Sequence, residues 1–260
     1  MRDDTTLFLK NINVQSKEEW NNYKHSVDFL LNHPEGKKYL ILFELAQRTC
    51  GLSIMQKSIK EEDHKTISYI GARIFNDGMV AFKSCMSGYY QIAMSLLRDL
   101  IEIQFLLDYF RSHKEQIVIW RKSNNKNRYN KFAPHILYKK LDKRDGWTGE
   151  RRKHTYQMFC EYAAHVSYSG IKLTANDKNV VLIGNFFDEK KLLNAALELV
   201  RRLGHAVMSA VALLPNTEVG AIRSQLDLME RFSDVFNLSI KDKSSYKLLK
   251  DHVEILLREK

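Results

Sequence analysis

Three prolines and eleven glycines punctuate a chain of 260 residues. That is too few for the many tight turns that a β-sandwich or barrel demands. Pro34, Pro134 and Pro215 each stand where a hydrophobic repeat breaks off, and most other positions hold residues that lose little on entering a helix. An all-α fold follows. Cysteine is scarce too: Cys50, Cys85 and Cys160 are odd in number, scattered, and without a CxxC or a closely spaced Cys/His pair. This excludes a disulfide framework and a structural zinc site, and reads as buried thiols in a reducing cytoplasm. No run of about 18 uncharged apolar residues occurs, so no membrane span is expected. The opening residues carry acids rather than a signal-peptide core.

Catalytic fingerprints are missing as well. No GxxxxGK[ST], no dinucleotide-binding glycine pattern, no HExxH and no GxSxG is present, which removes support for nucleotide hydrolysis, redox chemistry and zinc hydrolysis. Glu44, Glu61, Glu62, Asp63 and Asp77 make no recognisable carboxylate cage, so neither a metal nor a cofactor is expected.

What is present is helical periodicity. Residues 88–110 form the longest stretch that is both apolar and periodic, and Ile92, Ala93, Leu96, Leu97, Leu100, Ile101, Leu106 and Leu107 predict a buried central helix. Gln91, Ser95, Arg98 and Glu102 fall on one narrow strip of it, a polar interruption on an otherwise apolar surface. Helices are predicted from a capping box at Ser16–Glu19 to His33, over 36–60, and from Glu61 toward Gly88. Two short helices are predicted around the polar run 123–129, then longer ones over about 148–166, 188–214, 216–236 and 244–259. The expectation is one helical domain of seven to nine helices over 1–260, with the C-terminal helices of 216–260 its candidate peripheral part. A short strand-like loop near 178–186, within NVVLIGNFF, is the one exception to helix.

The charge is concentrated. Residues 111–153 hold 14 Lys and Arg against four acids, a local excess equal to the +10 of the whole chain. Such a region attracts polyanions through steering and counterion release. Trp120, Tyr129, Phe132, Tyr138 and Trp147 are interleaved with the cations, the combination that holds unpaired nucleic acid by stacking. Arg121, Lys122, Arg128, Lys131, Lys139, Lys140, Lys143, Arg144, Arg151 and Arg152 are the candidate RNA contacts. The same pattern also describes short amphipathic helices with core aromatics and a solvated charged face.

Three stretches, SGYYQIAMSLLRDLIEIQFLLDYF at 87–110, EQIVIWRKSNNKNRYNK at 115–131 and YAAHVSYSG at 162–170, together resemble a family of bacterial helical proteins of the HEPN-like group. That resemblance covers about the middle third of the chain and implies a metal-independent ribonuclease of a toxin or antiphage system, commonly dimeric. The group's Arg and His, separated by four to six residues, find Arg128 and His135 here, with Pro134 breaking the helix between them. Arg201 and His205 form a second pair, one residue short, on one helical face.

Arg98 and Glu102 make either a structural ion pair or an anion site. His165, with Tyr162 close in sequence and Ser167, Tyr168 and Ser169 following, is either a capping histidine or the base that activates a 2′-hydroxyl while Arg98 stabilises the phosphorane. Catalytic candidates are therefore Arg98, Glu102, His165 and Tyr162. The alternative is a non-catalytic helical module that binds nucleic acid or a cognate protein partner.

Overall fold

Pro34 ends one helix and begins the next, and His33 supplies the cap: its Nδ1 accepts from the Gly36 amide at 3.3 Å. The computed structural model describes residues 4–176, 178, 180–239 and 244–258. Before that cap runs α1 (Asp4–Asn32), which passes straight through the Ser16–Glu19 capping box. The box predicted the helix start, but no proline or glycine precedes it within α1, so nothing interrupts the helix there. After the cap, α2 (Pro34–Ile54) carries Cys50-Gly51 without a break, and α3 (Glu62–Met86) opens on Glu62 and Asp63.

A turn at Ser87-Gly88-Tyr89 separates α3 from α4 (Tyr90–Ser112). Gly88 has φ +86°, and a Cβ there would stand 2.1 Å from the Phe186 carbonyl oxygen. Only glycine serves at this point. The close approach lets the chain at 186–188 cross the start of α4, where the Asp188 amide donates to the Tyr90 hydroxyl at 3.2 Å. Asp188 then caps α10 (Glu189–Val211) through the Lys191 amide.

The central helix is where the periodicity put it. α4 packs most extensively on α10 and α3, and α10 also lies on α2. Leu97, Leu100, Ile101, Leu107 and Phe110 are buried completely or nearly so, each contributing about 1.5–3 kcal/mol. The basic segment holds three short helices rather than two: α5 (Gln116–Lys122), α6 (Asn125–Phe132) and α7 (Pro134–Arg144). The polar run is itself helical because Asn124 caps it, accepting from the Asn127 amide at 2.9 Å.

The helix expected over about 148–166 is shorter. α8 (Arg151–Phe159) runs into a π-helical turn at Cys160–Ala164, closed by the His165 amide on the Cys160 carbonyl. A single turn, α9 (Tyr168–Ile171), and a 3₁₀ turn at Lys172–Thr174 follow. The strand-like loop of 178–186 is reduced to one antiparallel bridge between Ala175 and Val181, with Asn179 outside the described residues. Among the described residues no strand extends this pairing, and Gly184 further on adopts φ +87°. α11 (Val219–Phe236) buries Ile222, Leu228 and Phe232 and packs on α2, and α12 (Ser244–Arg258) packs on α11. Among the described residues there are thus twelve α-helical segments, more than the seven to nine expected, and no β-strand. No helix among them is long and apolar enough to cross a membrane.

Candidate functional site

The polar strip of α4 is spent on α8 and the π turn. Gln91 Nε2 and Ser95 Oγ both donate to the Ala163 carbonyl, at 2.9 and 3.0 Å. That carbonyl lies at a helix end, where backbone acceptors lack helical partners, so two side chains supply what the helix cannot. One turn along, Arg98 donates Nε to Cys160 Sγ at 3.3 Å and Nη2 to the Tyr156 hydroxyl at 3.0 Å. The Tyr156 hydroxyl donates in turn to Glu102 Oε1 at 2.8 Å, and Arg98 pairs directly with the same carboxylate at 2.5 Å.

Burial works against the Arg98 charge, but Tyr156, Cys160 and Glu102 outweigh it and hold the guanidinium above its ordinary pKa. Burial also raises the Tyr156 phenol, with Arg98 opposing and Glu102 reinforcing. The cluster is therefore a cation, an anion and a neutral phenol that satisfy one another.

His165 stands outside this set. It is exposed in extended backbone just after the π turn, and no hydrogen bond or ion pair among the described residues joins its ring to Arg98, Glu102 or Tyr162. Tyr162 is exposed. Ser167 and Ser169 are occupied locally: Ser167 Oγ caps α9 and donates to the Glu161 carbonyl, and Ser169 donates to the Glu161 carboxylate at 2.8 Å. Arg98 and Glu102 are thus brought together, and His165 is not joined to them.

The basic segment divides in three. Arg121, Arg144 and Arg152 are tied down by acids: Arg121 by Asp63 at 2.6 Å, Arg144 by Asp108 and Asp145, Arg152 by Asp108, Asp142 and Asp145. The hydrogen bond from Arg144, then that from Arg152, pulls the Asp145 carboxyl down to about 2 against some desolvation. Arg128 and Lys140 are half-engaged, one over Trp120 and on the Ser123 carbonyl, the other over Tyr109 and on its hydroxyl. Lys122, Lys131, Lys139, Lys143 and Arg151 are exposed and make no hydrogen bond or ion pair with a described residue.

The aromatics divide too. Phe132 and Tyr138 are core, and Trp120 packs against Phe110. Tyr129 is 67% exposed. Its ring centroid lies 5.8 Å from that of His135, the first exposed residue of α7. His135, Lys139 and Lys143 follow one another at every fourth position, so they line one ridge of α7. Tyr129 therefore caps the end of a solvent-facing ridge that carries two unpaired lysines.

Neither Arg/His pair of the sequence makes a joint site here. Arg128 and His135 sit on different helices, with Pro134 at the start of the second. Arg201 and Arg202 both pair with Glu198, at 2.6 Å each, and His205 packs edge-on against Phe232. Burial, then the charges of Arg202 and Arg201, lowers His205 to about 4. Comparison with protein-family models, curated proteins and solved structures finds no match, so the site is read from its own geometry.

Proposed function

We propose that the protein is a helical nucleic-acid-binding module, with RNA as its partner and the ridge of α7 as its contact face. The observation that supports this most is the exposed row Tyr129, His135, Lys139, Lys143, in which the lysines make no ion pair with a described residue. A surface lysine without a carboxylate partner turns toward a phosphate at the cost of its own rotamer freedom alone, whereas Arg144 or Arg152 must also give up carboxylates. Tyr129 offers a face on which a base can stack.

A second reading is the metal-independent ribonuclease of a toxin or defence system, with His165 as base. One observation favours it: His165 and Tyr162 are exposed at a π turn, an irregularity frequent at functional sites. Against it, Arg98 is committed to Glu102, Tyr156 and Cys160. One experiment separates the two. Labelled single-stranded RNA is titrated with the full chain in EDTA, followed by anisotropy, and then run on a denaturing gel. Retained RNA that stays intact supports the module. Cleavage that His165→Ala abolishes supports the ribonuclease, and no binding at low salt removes both.

A further inference from the structure

On the α3–α4 interface, away from the Arg98 cluster, Arg73 of α3 grips Asp99 of α4 with two N–H groups, Nε at 2.9 Å and Nη2 at 2.7 Å. Asp77, one turn after Arg73, is left over. Its Oδ2 is sealed from solvent with no hydrogen-bond donor, and Arg73 Nε stands 3.6 Å away, beyond hydrogen-bonding distance. A buried carboxylate oxygen without a donor is costly as an anion, and a second carboxylate at its side makes it costlier. Asp77 Oδ2 and Asp99 Oδ2 stand about the same Arg73 Nε, at 3.6 and 2.9 Å, so a proton kept on Asp77 would have the Asp99 carboxylate as an acceptor.

The surroundings support no other compensation. α2 and α10 bring Gln47 and Leu203 to the adjacent Gly78, neither of them charged, and Gln47 Nε2 is already donated to the Phe75 carbonyl. α1 meets α3 at a groove lined by Trp20, Tyr23 and Met79 together with Glu19 and Lys83. α5 reaches α3 at the opposite end, through Arg121 on Asp63. Among the described residues, Arg73 and Asp99 are the charged groups that bear most on Asp77.

We propose that Asp77 holds a proton shared with Asp99, and that this proton is a latch between α3 and α4 that opens when it is lost. Burial first, then the hydrogen bond and charge of Asp99, raises Asp77 to about 7, with Arg73 opposing. The latch therefore works across neutral pH. The native carboxyl binds its proton more tightly than the unfolded one, so its stabilising effect is complete below the ordinary aspartate pKa and is lost as pH rises through about 7.

The test uses the full chain with ¹³C-labelled aspartate carboxyls. One carboxyl carbon should titrate near neutrality, vanish in Asp77→Asn and move to lower pH in Asp99→Asn. Ordinary midpoints for every aspartate, or a neutral titration that survives Asp77→Asn, would overturn the proposal. Urea unfolding gives a second readout, taken as the difference between Asp77→Asn and wild type so that other titrating groups cancel. Because asparagine can still donate to Asp99, the variant should gain on wild type by about tenfold or more in the folding constant between about pH 5 and pH 8. A difference that does not change with pH overturns the latch even if the variant is less stable throughout.

Discussion

The Tyr156 hydroxyl donates to the Glu102 carboxylate at 2.8 Å across the α4–α8 interface, and its oxygen accepts from Arg98 at 3.0 Å. One phenol thus serves both members of an ion pair on the neighbouring helix. Removing it leaves Arg98 and Glu102 half-buried with one partner fewer each. Tyr156→Phe should therefore cost about 1–2 kcal/mol, read by urea unfolding. Amide exchange should quicken over 151–165, because Arg98 also holds Cys160 and the strip beyond it holds Ala163. A variant as stable as wild type would mean that the strip does not fasten α8.

The Asp145 network gives a prediction at acid pH. Its carboxyl is held near 2 by Arg144 and then Arg152, below the ordinary aspartate value, so its stabilisation is present above about 4 and is lost as pH falls through about 2. Asp145→Asn should lose about 1 kcal/mol at pH 7, a figure reduced for partial exposure. The difference from wild type should close in acid. An equal difference at both pH values would assign the effect to packing.

His205 works at a higher pH. The native ring stays neutral down to about 4 because partial burial, then the charges of Arg202 and Arg201, disfavour the imidazolium. The unfolded ring binds a proton below about 6.5. The stability that the neutral ring confers is therefore present above that value and is lost as pH falls toward 4. Replacement by leucine should remove a loss on the order of 2 kcal/mol over this interval, measured as the variant's difference from wild type. A flat difference would place a charged histidine in the native state.

Gly88 tests the crossing that positions α10. Gly88→Ala puts a Cβ against the Phe186 carbonyl in a backbone conformation with φ +86°. The cost should be about 2 kcal/mol or more, visible as a lowered Tm. An unchanged Tm would show that the chain at 186–188 moves aside freely.

Periodicity carried the fold further than the site. α4 was legible because buried apolar residues recur at helical spacing, and its bounds differ by two residues from those expected. α6 was not, because a helix of Asn, Lys and Arg has no apolar stripe and declares itself only through the Asn124 cap. The polar strip was legible as a strip, but its partners were not. Tyr156 and Cys160 lie more than fifty residues away, and no local pattern reports which helix will face which. Charge counting erred for the same reason: Asp63 and Asp108 lie outside 111–153 in sequence yet bind Arg121, Arg144 and Arg152. A sum taken along the chain counted these arginines as available. In space they are neutralised, and the surviving cations sit mainly on α6 and α7.

The binding face proposed on α7 is tested most directly by the salt dependence of single-stranded RNA binding. Anisotropy titrations at several salt concentrations give the slope of log Kd against log salt for wild type, for Lys139→Ala/Lys143→Ala and for Lys37→Ala/Lys38→Ala, which removes two exposed cations from α2. Each lost phosphate contact should lower the slope by about 0.7, so the α7 variant should fall by about 1.4 while the α2 variant matches wild type. Equal slopes in all three proteins would contradict the assignment of RNA to this ridge.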